Sequence, residues 1–122
     1  MTWHRTALLA ARILIAALFA AGTFQKALSP DGAMGLLTDR GLPDWLVWPA
    51  TAYNAAAALA LLAGWRVAPV ALSLAAYCAV TSVFHLIPDD PWQMSIFVKN
   101  WAIAGGCLAL AVAWDATRRE AR

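Results

Sequence analysis

The chain has 122 residues, 62% of them hydrophobic and 13% charged, with a formal net charge of +2 at neutral pH. That length allows one domain, and the composition leaves no stretch from which a separate soluble domain could be built. So small and dispersed a charge excludes a nucleic-acid-binding surface.

Four apolar runs fill almost the whole chain: Ala7–Phe24, Trp45–Ala63, Val67–Ile87 and Ile96–Trp114. A hydrocarbon core of ~30 Å needs roughly 20 helical residues, and each run meets or nearly meets that length. The runs carry almost no polar stripe and no alternation, which argues against a soluble bundle and a β-barrel. An all-α integral membrane four-helix bundle is expected, a single domain over 1–122 with spans near 7–27, 45–63, 67–87 and 96–114.

The first run begins like a signal peptide, with His4 and Arg5 before it and Ala20, Ala21 and Gly22 near its end. Gln25 and Lys26 follow at once, and three more spans come after, so it reads as an uncleaved first helix. Ser29-Pro30-Asp31-Gly32 is a turn signal. Beyond it, Ala33–Arg40 reads as a short surface helix ended by Gly41 and Pro43. Spans two and three are joined at Gly64–Arg66, a connection so short that they must be antiparallel neighbours. Pro88-Asp89-Asp90-Pro91 stops span three and stiffens the turn into span four.

Four spans place both termini and the Gly64–Arg66 turn on one side. That side holds Arg5, Arg12, Arg66, Arg118, Arg119 and Arg122, six basic residues against three (Lys26, Arg40, Lys99) on the other. By the positive-inside rule both termini are cytoplasmic, and a bacterial plasma membrane is the expected location. Trp3, Trp65 and Trp114 then fall at the inner interface, and Trp45, Trp48 and Trp92 near the outer one.

Threading the spans in alternating directions brings Gln25, Lys26, His85, Lys99 and Asn100 to one depth near the outer face, below Asp89, Asp90 and Gln93. Ionisable groups inside a span are costly and mark functional sites by default. Two blander roles stand beside that one: the lysines snorkel to the headgroups, and His85 caps its helix. Arg12 lies roughly 8 Å along span one, where it either snorkels inward or pairs across the bundle with Asn54 or Tyr53. Tyr77, Thr81 and Ser82 add hydroxyls at mid-depth. Cys78 and Cys107 lie deep in their spans without metal-ligand spacing, so no metal site is expected. Gly105-Gly106, with Ala102 and Ala109, reads as a close-packing face.

Arg12, Gly22 and Lys26 in span one, Gly41-Leu42-Pro43 before span two, Phe84-His85, Phe97-x-Lys99-Asn100 and Gly105-Gly106 together resemble the DoxX family of small membrane proteins. The resemblance covers nearly the whole chain. It implies association with redox systems: some relatives look like membrane subunits of thiosulfate:quinone oxidoreductases, others are linked to thiol-oxidation and oxidative-stress complexes. One departure is that family members often carry a glutamate where this chain has Asn54, so an arginine–glutamate pair would become an arginine–amide contact.

Three functional readings follow. In the first, the protein is a redox-associated accessory subunit that holds a quinone or similar flat lipophile near the outer face. Lys26, His85, Lys99, Asn100 and Gln25 would supply donors, and Trp101 or Phe84 a stacking wall. His85 is the candidate acid–base group. Two His and two scattered Cys give no haem, flavin or iron–sulfur ligation pattern, so no cofactor is intrinsic and electrons would come from a soluble or membrane oxidoreductase partner. In the second, the bundle anchors a soluble oxidoreductase and has no ligand of its own, with the Arg118–Arg122 tail for docking. In the third, it is a stand-alone membrane enzyme with His85 and Lys99 as acid and base. A small-residue face would also permit a homo-oligomer.

Overall fold

Backbone groups in hydrocarbon must find partners inside their own segment, and every apolar run does so as a helix. The computed structural model describes residues 2–121, which contain no strand. The helices are α1 (Thr2–Leu28), α2 (Asp31–Asp39), α3 (Val47–Ala63), α4 (Val67–Thr81) and α5 (Pro91–Glu120). Short 3-10 turns at Asp44–Leu46 and Ser82–His85 extend α3 and α4. Four helical stretches are long and apolar enough to cross a membrane: Trp3–Leu28, Asp44–Ala63, Val67–His85 and Pro91–Glu120.

The first and last helices overrun their apolar segments because hydropathy marks the bilayer and not the helix end. α5 starts where Asp90 accepts hydrogen bonds from the backbone N–H groups of Trp92 (3.0 Å) and Gln93 (3.2 Å), with Pro91 at the first helical position. It runs past Trp114 on helix-compatible polar residues, including an Asp115–Arg119 pair. Arg122, one of the six basic residues on the side of the termini, lies outside the described residues. The surface helix begins two residues before the Ala33 expected from sequence. It ends as expected: Gly41 (φ 74°) lets Leu42 N–H reach the Leu37 carbonyl at 3.0 Å.

Around the bundle, α1 packs on α3 and α5, and α4 packs on α3 and α5, every neighbour antiparallel. The closest pairs are α1 with α3 and α4 with α5. The short Gly64–Arg66 turn makes α3 and α4 neighbours but not the tightest pair. Lipid tails give no hydrophobic drive between helices, so association depends on close backbone approach. Small buried residues supply it: Ala16, Ala57, Ala58, Ala71, Ala75, Ala104 and Ala111 surround Leu61, Leu74 and Leu110. Cys78 and Cys107 belong to the same core as free thiols.

The face formed by Gly105 and Gly106 differs from the sequence expectation. Both glycines are exposed, as are Ala102 and Ala109, and a Cβ at either glycine would meet nothing within 4 Å. Intramolecular packing of α5 uses Ala104, Cys107, Leu110 and Ala111, on the opposite side.

Candidate functional site

At the end of the bundle that carries α2, a cavity of about 610 Å³ lies between the helices. Gln25, Lys26, His85, Lys99 and Asn100 all line it, joined by Asn54, Tyr77, Phe84 and Gln93. Trp101 is not among the lining residues; it is 51% exposed on the outer side of α5, edge-on to Phe97 at 6.4 Å. Of the two aromatic walls expected from sequence, Phe84 is the one at the cavity.

The floor is a polar junction of three helices. Asn54 of α3 is only 1% exposed, and its Oδ1 accepts a 2.6 Å hydrogen bond from Lys26 Nζ of α1. Tyr77 of α4 donates a longer one, 3.4 Å, to the same oxygen. Tyr77 is held in turn by ring contacts with Phe19 (6.4 Å) and Tyr53 (5.2 Å), and Tyr53 Oη pairs with Ser73 Oγ at 2.6 Å. Asn54 Nδ2 is buried with no hydrogen-bond partner. A buried donor left unpaired costs about 1–3 kcal/mol, so this amide is suited to an acceptor brought by a ligand.

The contact between Arg12 and Asn54 expected from sequence is not formed. Helical side chains lean toward the N-terminus of their own helix. In the antiparallel α1/α3 pair, Lys26 therefore leans down into the bundle and Asn54 leans up, and they meet. Arg12 leans away, toward the end with the termini. There its guanidinium lies 5.2 Å from the centroid of the Trp114 ring and against Gly64, where an added Cβ would come 2.9 Å from Nη1.

Higher in the cavity, His85 Nδ1 and Gln93 Oε1 are 2.7 Å apart. An amide oxygen only accepts, so Nδ1 is the donor in this contact. The blander role, His85 bonding a helix-end carbonyl, is taken by another residue. Arg40, just after α2, donates to the carbonyls of Val83 (2.6 Å) and Leu86 (3.2 Å) at the end of α4. That contact ties α2 across the cavity, and Leu36 and Leu37 of α2 join its lining. Of the mid-depth hydroxyls, Tyr77 joins the floor, whereas Thr81 and Ser82 bond back to the carbonyls of Tyr77 and Ala79. Lys99 and Asn100 have no side-chain hydrogen bond or ion pair among the described residues.

Sequence reasoning missed the α2 roof and the Lys26–Asn54–Tyr77 junction. The direction in which helical side chains lean could have found the junction. The roof left no signal beyond the Leu36-Leu37 pair in a helix with no buried residue.

A polytopic helical membrane protein with a polar-floored cavity at one end of the bundle is the class these features define. The family model for DoxX matches residues 7–86, more than half of the chain, and the chain belongs to the DoxX family. α5, with Lys99 and Asn100, lies beyond the matched stretch. No curated protein and no solved structure matches the chain.

Proposed function

We propose that this DoxX protein is a redox-associated membrane subunit that takes a quinone or similar flat lipophile into the cavity beneath α2. The observation that carries the proposal is the unpaired Nδ2 of Asn54 on the floor of a cavity whose walls are mostly apolar. A quinone head needs such a slot, with a donor or two at its carbonyl oxygens. Asn54 Nδ2 and Lys26 supply them at the floor, and Lys99 and Asn100 on α5 near the mouth. A volume of about 610 Å³ falls within the ~300–1,000 Å³ typical of small-molecule sites.

In this reading the cavity lies at the outer leaflet of a bacterial plasma membrane with both termini inside, an orientation that the Lys/Arg bias supports. His85, oriented by Gln93, is the candidate acid–base group at the cavity. Electrons come from an oxidoreductase partner, for which the bundle is the lipophile-holding subunit. The test is to purify the protein in mild detergent and analyse the extracted small molecules by mass spectrometry. A near-stoichiometric quinone or other lipophile is expected; bulk phospholipid alone would leave the anchor role in its place.

A further inference from the structure

We infer that the ligand of this cavity carries a negative charge on its headgroup, so that an ionised lipophile is preferred over a neutral one of the same shape. The inference rests on the cavity being a ligand site, as proposed above. It adds the charge class of the occupant.

The argument is one of charge balance. Lys26 places an ammonium at the cavity floor, and its partner there is an amide oxygen and not a carboxylate. Asp and Glu are absent from the residues that line the cavity. The acids at this end, Asp31, Asp39, Asp44, Asp89 and Asp90, lie on α2, at the start of the 3-10 turn before α3 or in the loop before α5, and the Asp90 carboxylate is already engaged by the start of α5. Lys99 adds a second cation to the lining without a counter-ion, since the ion pair found among the described residues is Asp115–Arg119 at the opposite end. An uncompensated charge within a bilayer is costly, and attraction to an opposite charge is strong where water is scarce. The floor also presents donors in excess. Its amide oxygen is used twice, by Lys26 and Tyr77, while Nδ2 still lacks an acceptor. A neutral carbonyl would satisfy Nδ2 and leave the ammonium unbalanced; an anionic oxygen satisfies both. The identity of residue 54 sets this preference, because a carboxylate there would close the ion pair within the protein.

A matched pair of probes tests the charge directly. One is an alkyl hydroxynaphthoquinone, whose hydroxyl is ionised at neutral pH; the other is the same compound without the hydroxyl. Binding of both to the purified full-length protein is measured in one detergent. The wild type is expected to bind the ionised compound about tenfold tighter or better, roughly 1.4 kcal/mol. Asn54→Asp, nearly isosteric, closes the ion pair with Lys26 and should bring the ratio to about one or below, with an unchanged unfolding midpoint in detergent reporting that the fold is kept. Lys26→Gln should lower the ratio likewise and carries the test if the aspartate variant does not fold. Equal affinity for the two probes in the wild type, unmoved by either substitution, would overturn the charge inference and leave the cavity proposal standing. Failure of both probes to bind would overturn both.

Discussion

Two basic residues on one face of α1 have opposite consequences. Arg12 and Lys26 are fourteen residues apart, about 21 Å along the helix and within roughly 40° of each other around it, so both look toward α3. At the end with the termini, α3 offers Gly64, whose missing side chain makes room for the guanidinium, and α5 offers the Trp114 ring. The cation there also sits at the C-terminal end of α3, the favourable pole of the helix dipole. At the α2 end, α3 offers Asn54, and a cavity remains. The same residue class on the same face closes one end of the bundle and opens the other, and the difference lies in the partner helix.

If that contrast is right, the largest effect on stability comes from the closed end. Gly64→Val puts a Cβ into Arg12 and forces a β-branched residue to φ 73°, and about 3 kcal/mol of destabilisation is expected in detergent unfolding. A stability equal to wild type would mean that the Arg12 packing is incidental. Next in size is the open end. Asn54→Leu removes the acceptor of Lys26, which should cost about 2 kcal/mol and abolish capture of a quinone-like lipophile. Retention of the lipophile in that variant would break the assignment of the floor.

Smaller still is the roof. Arg40→Gln removes the tie to Val83 and Leu86, at a cost of about 1 kcal/mol or less. Hydrogen exchange should speed up in 31–39, with α3 and α4 unchanged. The smallest effect is expected on the outer face of α5. Gly105→Ala meets open space, so it should be neutral or stabilising by up to about 1 kcal/mol. A clear loss of stability there would indicate that this face packs against another chain.

The bundle was legible from sequence because apolar length dictates spanning helices and leaves little choice of architecture. Depth was legible too: alternate threading brought Gln25, Lys26, His85, Lys99 and Asn100 to one level, and one cavity holds them all. What sequence reasoning misjudged was register and rotation. The α3–α4 register is fixed by a turn of a few residues, whereas α1 and α3 are joined through α2 and a 3-10 turn, so no turn sets their offset. The sequence therefore leaves Arg12 open to the headgroups, Asn54 or Tyr53, whereas the lean of both side chains gives Asn54 to Lys26. That Trp101 turns away from the cavity, and the Gly105-Gly106 face away from the bundle, is illegible for a related reason. A helix apolar on every side gives no periodic signal for which face turns inward, so rotation about its axis cannot be read from hydropathy.

The most direct test of a ligand cavity at the open end is photo-crosslinking with an azido-substituted alkyl quinone in proteoliposomes, with adducts mapped by peptide mass spectrometry. Labelling is predicted on the cavity-facing stretches of α1 near 22–29 and of α4 near 77–85, with loss of signal under excess unlabelled quinone or in Lys26→Met. Adducts scattered over lipid-facing positions such as Val98, Leu108 and Val112, unaffected by competitor, would contradict the account.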